Sequence, residues 1–76
     1  MKDILEKIVE NELSVKIGYE TIRDNRRAIL ITVSGKRPDV KDIGYYFGIE
    51  ELMDDFEGCI RQAIEAYLNY EIEPDD

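Results

Sequence analysis

Between positions 49 and 70 the apolar residues recur at steps of three and four. Ile49, Leu52, Met53, Phe56, Cys59, Ile60, Ala63, Ile64 and Tyr67 form one stripe, which predicts an amphipathic helix of about six turns. Such a helix must bury its stripe against a second layer, so the rest of the chain has to supply an apolar sheet or helix face. Gly58 is the weak spot of this segment, costing about 1 kcal/mol relative to alanine in an exposed helix.

Upstream, the period changes to two. Leu13, Val15, Ile17 and Tyr19 alternate with Ser14, Lys16, Gly18 and Glu20, a strand over 13–20 with one buried face. A second strand covers 27–34. Its two faces, Ile29/Ile31/Val33 and Ala28/Leu30/Thr32, are both fairly apolar, which marks it as central. Asp24-Asn25 between them is turn chemistry and predicts a hairpin. Gly35, free to take positive φ, and Pro38 mark the next turn. Val40, Ile43, Tyr45, Tyr46 and Phe47 have strand propensity, and a short third strand is expected over 42–47. At the start, Ile4, Leu5, Ile8 and Val9 fall on one helical stripe, with Asp3 as N-cap and Glu6 three residues on; a short helix over 3–12 follows. The expected fold is α+β, in the order α-β-β-(β)-α: a small antiparallel sheet with helices packed on one face. It occupies one domain, 1–76, ending in a frayed acidic tail, 71–76.

Charge is unevenly spread along these 76 residues, whose formal net charge is −8. From Ile49 onward there are ten carboxylates and one basic side chain, Arg61. The middle of the chain is mildly basic through Lys16, Arg23, Arg26, Arg27, Lys36, Arg37 and Lys41. An acidic balance disfavours anionic membranes and nucleic-acid phosphates as partners and favours basic surfaces. Arg23, Arg26 and Arg27 sit at the hairpin tip, away from Lys36 and Arg37, without interleaved aromatics for base stacking. Their simpler roles are edge protection and pairing with the acidic helix.

Little in the chain points to catalysis. It has no histidine, the usual general base and commonest metal ligand. Its single cysteine, Cys59, falls on the apolar stripe as a core thiol and implies a reducing, cytoplasmic setting. Asp54, Asp55 and Glu57 with Asp75 and Asp76 do not follow the calcium-loop pattern. No cofactor, metal or enzymatic activity is expected. The stronger feature is the polar face of the last helix, where Glu50, Asp54, Glu57, Arg61 and Glu65 rise in steps of about 5–6 Å. A duplex strand presents a phosphate about every 3.4 Å, so this ridge and the tail can imitate part of a nucleic-acid backbone. The bland reading is a solvated face that keeps a small protein soluble.

This order of features resembles the small acidic anti-CRISPR proteins of phages and prophages that inhibit type II effector nucleases. The matching stretches are the helix 3–12, the meander Leu13-Ser-Val-Lys-Ile-Gly and Ala28-Ile-Leu-Ile-Thr-Val-Ser-Gly, and the acidic helix with its tail. One C-terminal helix is read here where that type can have two. Double-stranded-RNA-binding domains share the order but need a basic start to the last helix, where this chain has Glu50, Glu51, Asp54 and Asp55. The first resemblance implies a mobile-element protein whose acidic surface occupies a basic cleft that reads duplex. The candidate partner-binding residues are Glu50, Asp54, Asp55, Glu57, Glu65, Glu71, Glu73, Asp75 and Asp76. The expected partner is the basic surface of a nucleic-acid-binding protein, with no nucleic acid or membrane bound directly. The alternative is a regulatory module that forms a homodimer through the open sheet face or an edge, using Leu30, Tyr45 or Tyr46.

Overall fold

The computed structural model describes residues 1–70. Helix α1, Lys2–Glu10, leads into strand β1, Ser14–Ile22. A single 3-10 turn, Arg23–Asn25, joins it to β2, Arg26–Ser34. Strand β3, Asp42–Gly48, is followed by α2, Ile49–Asp54, and α3, Phe56–Leu68. The sheet is antiparallel in the order β1-β2-β3, so β2 is central, as its two apolar faces require. The fold is α+β in the expected order, with the last helix divided in two.

The register explains the layers. Val15, Val33 and Ile43 lie side by side, as do Ile17, Ile31 and Tyr45, and Tyr19, Ile29 and Phe47. These rows face the helices. Ile31, Val33 and Phe47 are buried beneath them, against Leu52 of α2 and Cys59, Ile60, Ala63, Ile64 and Tyr67 of α3. The opposite face carries Lys16, Thr32 and Gly44; Gly18, Leu30 and Tyr46; and Glu20, Ala28 and Gly48. No helix covers it. Leu30 leans onto Gly44, and the Tyr46 hydroxyl donates to Glu20 at 2.9 Å, bridging the two outer strands above buried Ala28.

The turns follow side-chain chemistry. Asp24 and Asn25 both take left-handed φ, 61° and 60°, which these residues tolerate better than most. Glu12, at φ 50°, does the same between α1 and β1. Gly35 does not have positive φ; it is small for a different reason. A Cβ there would come within 2.8 Å of Leu13 and 3.0 Å of the Tyr67 ring. Asp3 is not the N-cap of α1 either. The helix starts one residue earlier, and the Asp3 carboxylate turns to Arg61 on α3.

The main departure from the sequence pattern is at Asp55. Its backbone is non-helical (φ −148°, ψ 72°), and its carboxylate accepts the Gly58 N–H at 2.9 Å. Asp55 therefore ends α2 and caps α3. The interruption shifts the phase of the two helices. Met53 and Phe56 leave the buried stripe to which the 3–4 spacing assigns them, and are 79% and 42% exposed. Gly58 is part of the same device: a Cβ at this position would overlap the Asp55 carboxylate. Gly58→Ala, a gain in an ordinary helix, should here cost about 1 kcal/mol or more, the worth of a lost cap. Urea unfolding of Gly58→Ala, Asp55→Ala and the double variant checks this; the double variant should cost less than the sum of the two.

Candidate functional site

The acidic residues singled out from the sequence do not form one ridge, because α2 and α3 are separate helices. Three of them are engaged within the molecule. Asp55 caps α3 through the Gly58 N–H. Glu57 lies 3.2 Å from the amino group of Met1, and Glu65 lies 3.3 Å from Lys7. Arg61, between them on α3, holds Asp3 through Nε at 3.2 Å and Nη2 at 2.8 Å. These contacts make a polar seam along α1 and α3, beside the packing of Ile4. Glu71, Glu73, Asp75 and Asp76 lie outside the described residues.

The basic side chains divide in the same way. Lys36 reaches Glu12 at 2.6 Å. Arg37 is a clamp on the end of α3: its Nη1 donates to the Tyr67 carbonyl at 2.8 Å, and its backbone N–H donates to the Tyr67 hydroxyl at 3.1 Å. Asp39 holds the same guanidinium by two hydrogen bonds, 2.6 and 3.2 Å. Among the described residues, Arg23, Arg26 and Arg27 make no ion pair within 4.0 Å.

What is left exposed and unpaired among the acids from Ile49 to Tyr70 is a corner built on α2. Glu50, Glu51 and Asp54 are exposed and without an ion pair. Met53 and Phe56 stand among them. Ile49, Leu52 and Met53 of α2 and Phe56 of α3 line a shallow groove with Ile17 and Ile29 from the helix-facing side of the sheet. On the other side of Met53, Arg26 and Arg27 border a depression shared with Glu50 and Ile49. The corner thus combines an apolar centre, an acidic margin and two arginines at one flank. The sequence signal for it was the Asp54-Asp55 pair, an N-cap placed inside an apolar run. Met53 and Phe56 were hidden because a continuous helix would bury both.

The other expected contact residues are arranged differently. Leu30 and Tyr46 share the open sheet face, already occupied by Gly44 and Glu20, whereas Tyr45 faces the helices near Phe47, with ring centroids 6.3 Å apart. They do not form one surface. Cys59 is buried, and burial, with the nearby charges of Glu51 and Asp55, pushes its thiol pKa up. Among the described residues, Tyr67 and Cys59 apart, no side chain with a polar group is buried, and no three His, Cys, Asp or Glu side chains are gathered to hold a metal ion. No described helix is long and apolar enough to cross a membrane. This chain has no match among protein-family models, characterised proteins or solved structures.

Two outcomes follow from the charges. Hydrogen bonds and the positive charge of Arg61 hold the Asp3 carboxyl below the usual carboxylate range. A group with a depressed native pKa stabilises the fold above its unfolded pKa of about 3.9 and loses that contribution as pH falls through the lower native value. Asp3→Asn should therefore be less stable than the wild type at neutral pH, with the gap closing toward about pH 2; unfolding at both pH values checks it. Cys59 should react with a thiol reagent only in denaturant, since a buried, largely protonated thiol is a poor nucleophile. Rapid labelling of the folded chain would contradict its placement.

Proposed function

We propose that this chain is a non-enzymatic binding protein whose α2 corner docks on a basic protein surface of the kind that otherwise holds nucleic-acid phosphate, and so inhibits its partner. The observation that supports this reading is the 79% exposure of Met53, beside Phe56, among the unpaired carboxylates Glu50, Glu51 and Asp54. Large apolar side chains ringed by charge are the usual composition of a contact patch: the apolar centre supplies affinity and the charged margin selects the partner. Aspartates and glutamates on a short helix offer oxygen acceptors to arginine and lysine as phosphates do.

The resemblance to small acidic anti-CRISPR proteins fits this reading as to kind: a mobile-element protein that blocks the duplex-reading cleft of an effector nuclease. The site is narrower than charge content alone implies. Asp55, Glu57 and Glu65 have partners inside the fold, and Arg26 and Arg27 flank Glu50. Of the acids expected to bind, Glu50 and Asp54 carry the reading, joined by Glu51.

The test is capture from a bacterial lysate, with washes at low and high salt. Wild type should retain a nucleic-acid-binding protein that salt releases and duplex DNA displaces. Glu50→Lys with Asp54→Lys should weaken that complex at least about tenfold, ~1.4 kcal/mol, and Met53→Ala should weaken it while preserving its salt dependence. Thermal unfolding should be little changed, since none of the three side chains is buried. An unchanged catch from the charge-reversed variant would overturn the proposal.

A further inference from the structure

Strand β1 lies at the edge of the sheet, and its outer backbone groups have no strand partner among the described residues. Its nine residues pair with β2 in unbroken register from Ser14↔Ser34 to Ile22↔Arg26, without a bulge or proline. Long, regular edges of this kind invite pairing with another chain unless they are blocked. On the helix-facing side, Ile17 and Tyr19 remain 51% and 59% exposed. At the centre of the strand is Gly18. A Cβ there would touch nothing within 4 Å, and its φ is not positive. Among the described residues nothing calls for glycine at this position, although glycine weakens a strand interior; close approach of another backbone is one use of such a residue.

We propose that β1 pairs antiparallel with β1 of a second copy, across a two-fold axis at Gly18. The sequence complements itself in this register. Gly18 faces Gly18 of the second copy, Lys16 faces its Glu20, and Ile17 faces its Tyr19, with each unlike pair occurring twice by symmetry. Directly opposed side chains on antiparallel strands lie within about 4.5–5.5 Å. Both Lys–Glu pairs fall on the open sheet face and both Ile–Tyr pairs on the helix-facing side. Glu20 has capacity for a second partner, because Tyr46 occupies only its Oε2. Tyr19 of the second copy meets the Ile17 wall of the groove that runs to Phe56, which gives that groove an apolar occupant. The result is a continuous six-stranded sheet with the shorter β3 strands at its edges. A register shifted by two residues would place Lys16 opposite Gly18 or Ile22 and lose the charge match, so the second copy is favoured over an arbitrary strand.

Sedimentation equilibrium of the full chain tests this directly. Wild type should show a reversible monomer–dimer equilibrium. Lys16→Glu and Glu20→Lys should each weaken it at least about tenfold, since each replaces two attractive pairs by two repulsive ones. Mixing these two variants should restore association as a heterodimer, and the double variant should dimerise again by itself. A wild type that stays monomeric throughout would overturn the proposal. So would a dimer that ignores the charge variants, or one that breaks with Leu5→Glu, which would place the contact on the exposed face of α1. The dimer borders the groove of the α2 corner at Ile17, but the tests separate the two readings: the dimer can fail while salt-sensitive capture persists, and the charge variants of β1 leave Glu50 and Asp54 untouched.

Discussion

Tyr67 ties this small fold together. Its ring is only 1% exposed and packs on Gly35 and Leu13. Its hydroxyl accepts the Arg37 N–H, and its carbonyl accepts the Arg37 guanidinium. One residue near the end of α3 thus fixes the junction of α1 with β1, the turn after β2, and its own helix terminus. A chain of 76 residues buries little more than half of its unfolded surface. It has few large side chains to place at such a point, and the bond to Arg37 lets a buried phenol keep its polar atom satisfied. The Arg37–Asp39 fork then holds the guanidinium in position.

Much of this arrangement was legible in the sequence. The change from period two to period 3.6 located the sheet and the helical layer, the doubly apolar 27–34 segment identified the central strand, and Asp24-Asn25 located the hairpin. The errors lie where a side chain serves the backbone of another segment. Asp55 reads as one acid among many until its carboxylate is seen on the Gly58 N–H. Arg37 reads as part of a basic turn until it is seen on the α3 carbonyls. Gly35 reads as a turn residue free to take positive φ, yet its role is to leave space for a ring. Periodicity records which face of a helix is apolar; it does not record where the helix is interrupted, and the Asp55 break is what leaves Met53 and Phe56 in solvent.

The candidate site was legible only in part, for the same reason. Counting carboxylates gave the sign of the surface but not its distribution. Ion pairs along α1 and α3 withdraw Glu57 and Glu65 from it, and capping withdraws Asp55. The exposed apolar centre came from a change of helical phase that no count of charges contains. Individually such surface pairs contribute little to stability. Their larger effect here is on specificity, because they determine which carboxylates remain for another molecule.

The pairs along the seam also fix a direction. Met1 meets Glu57, Asp3 meets Arg61 and Lys7 meets Glu65, so residue numbers rise together and α1 and α3 run parallel. Their backbone dipoles then point the same way, an arrangement that repels side by side, and the positive ends of both fall at one end of the molecule. Asp3, Asp55 and Glu57 are gathered at that end, where negative charge stabilises both helices. Part of the acidity that dominates the composition is therefore a counter-charge to the fold's own helices, retained whether or not any partner binds.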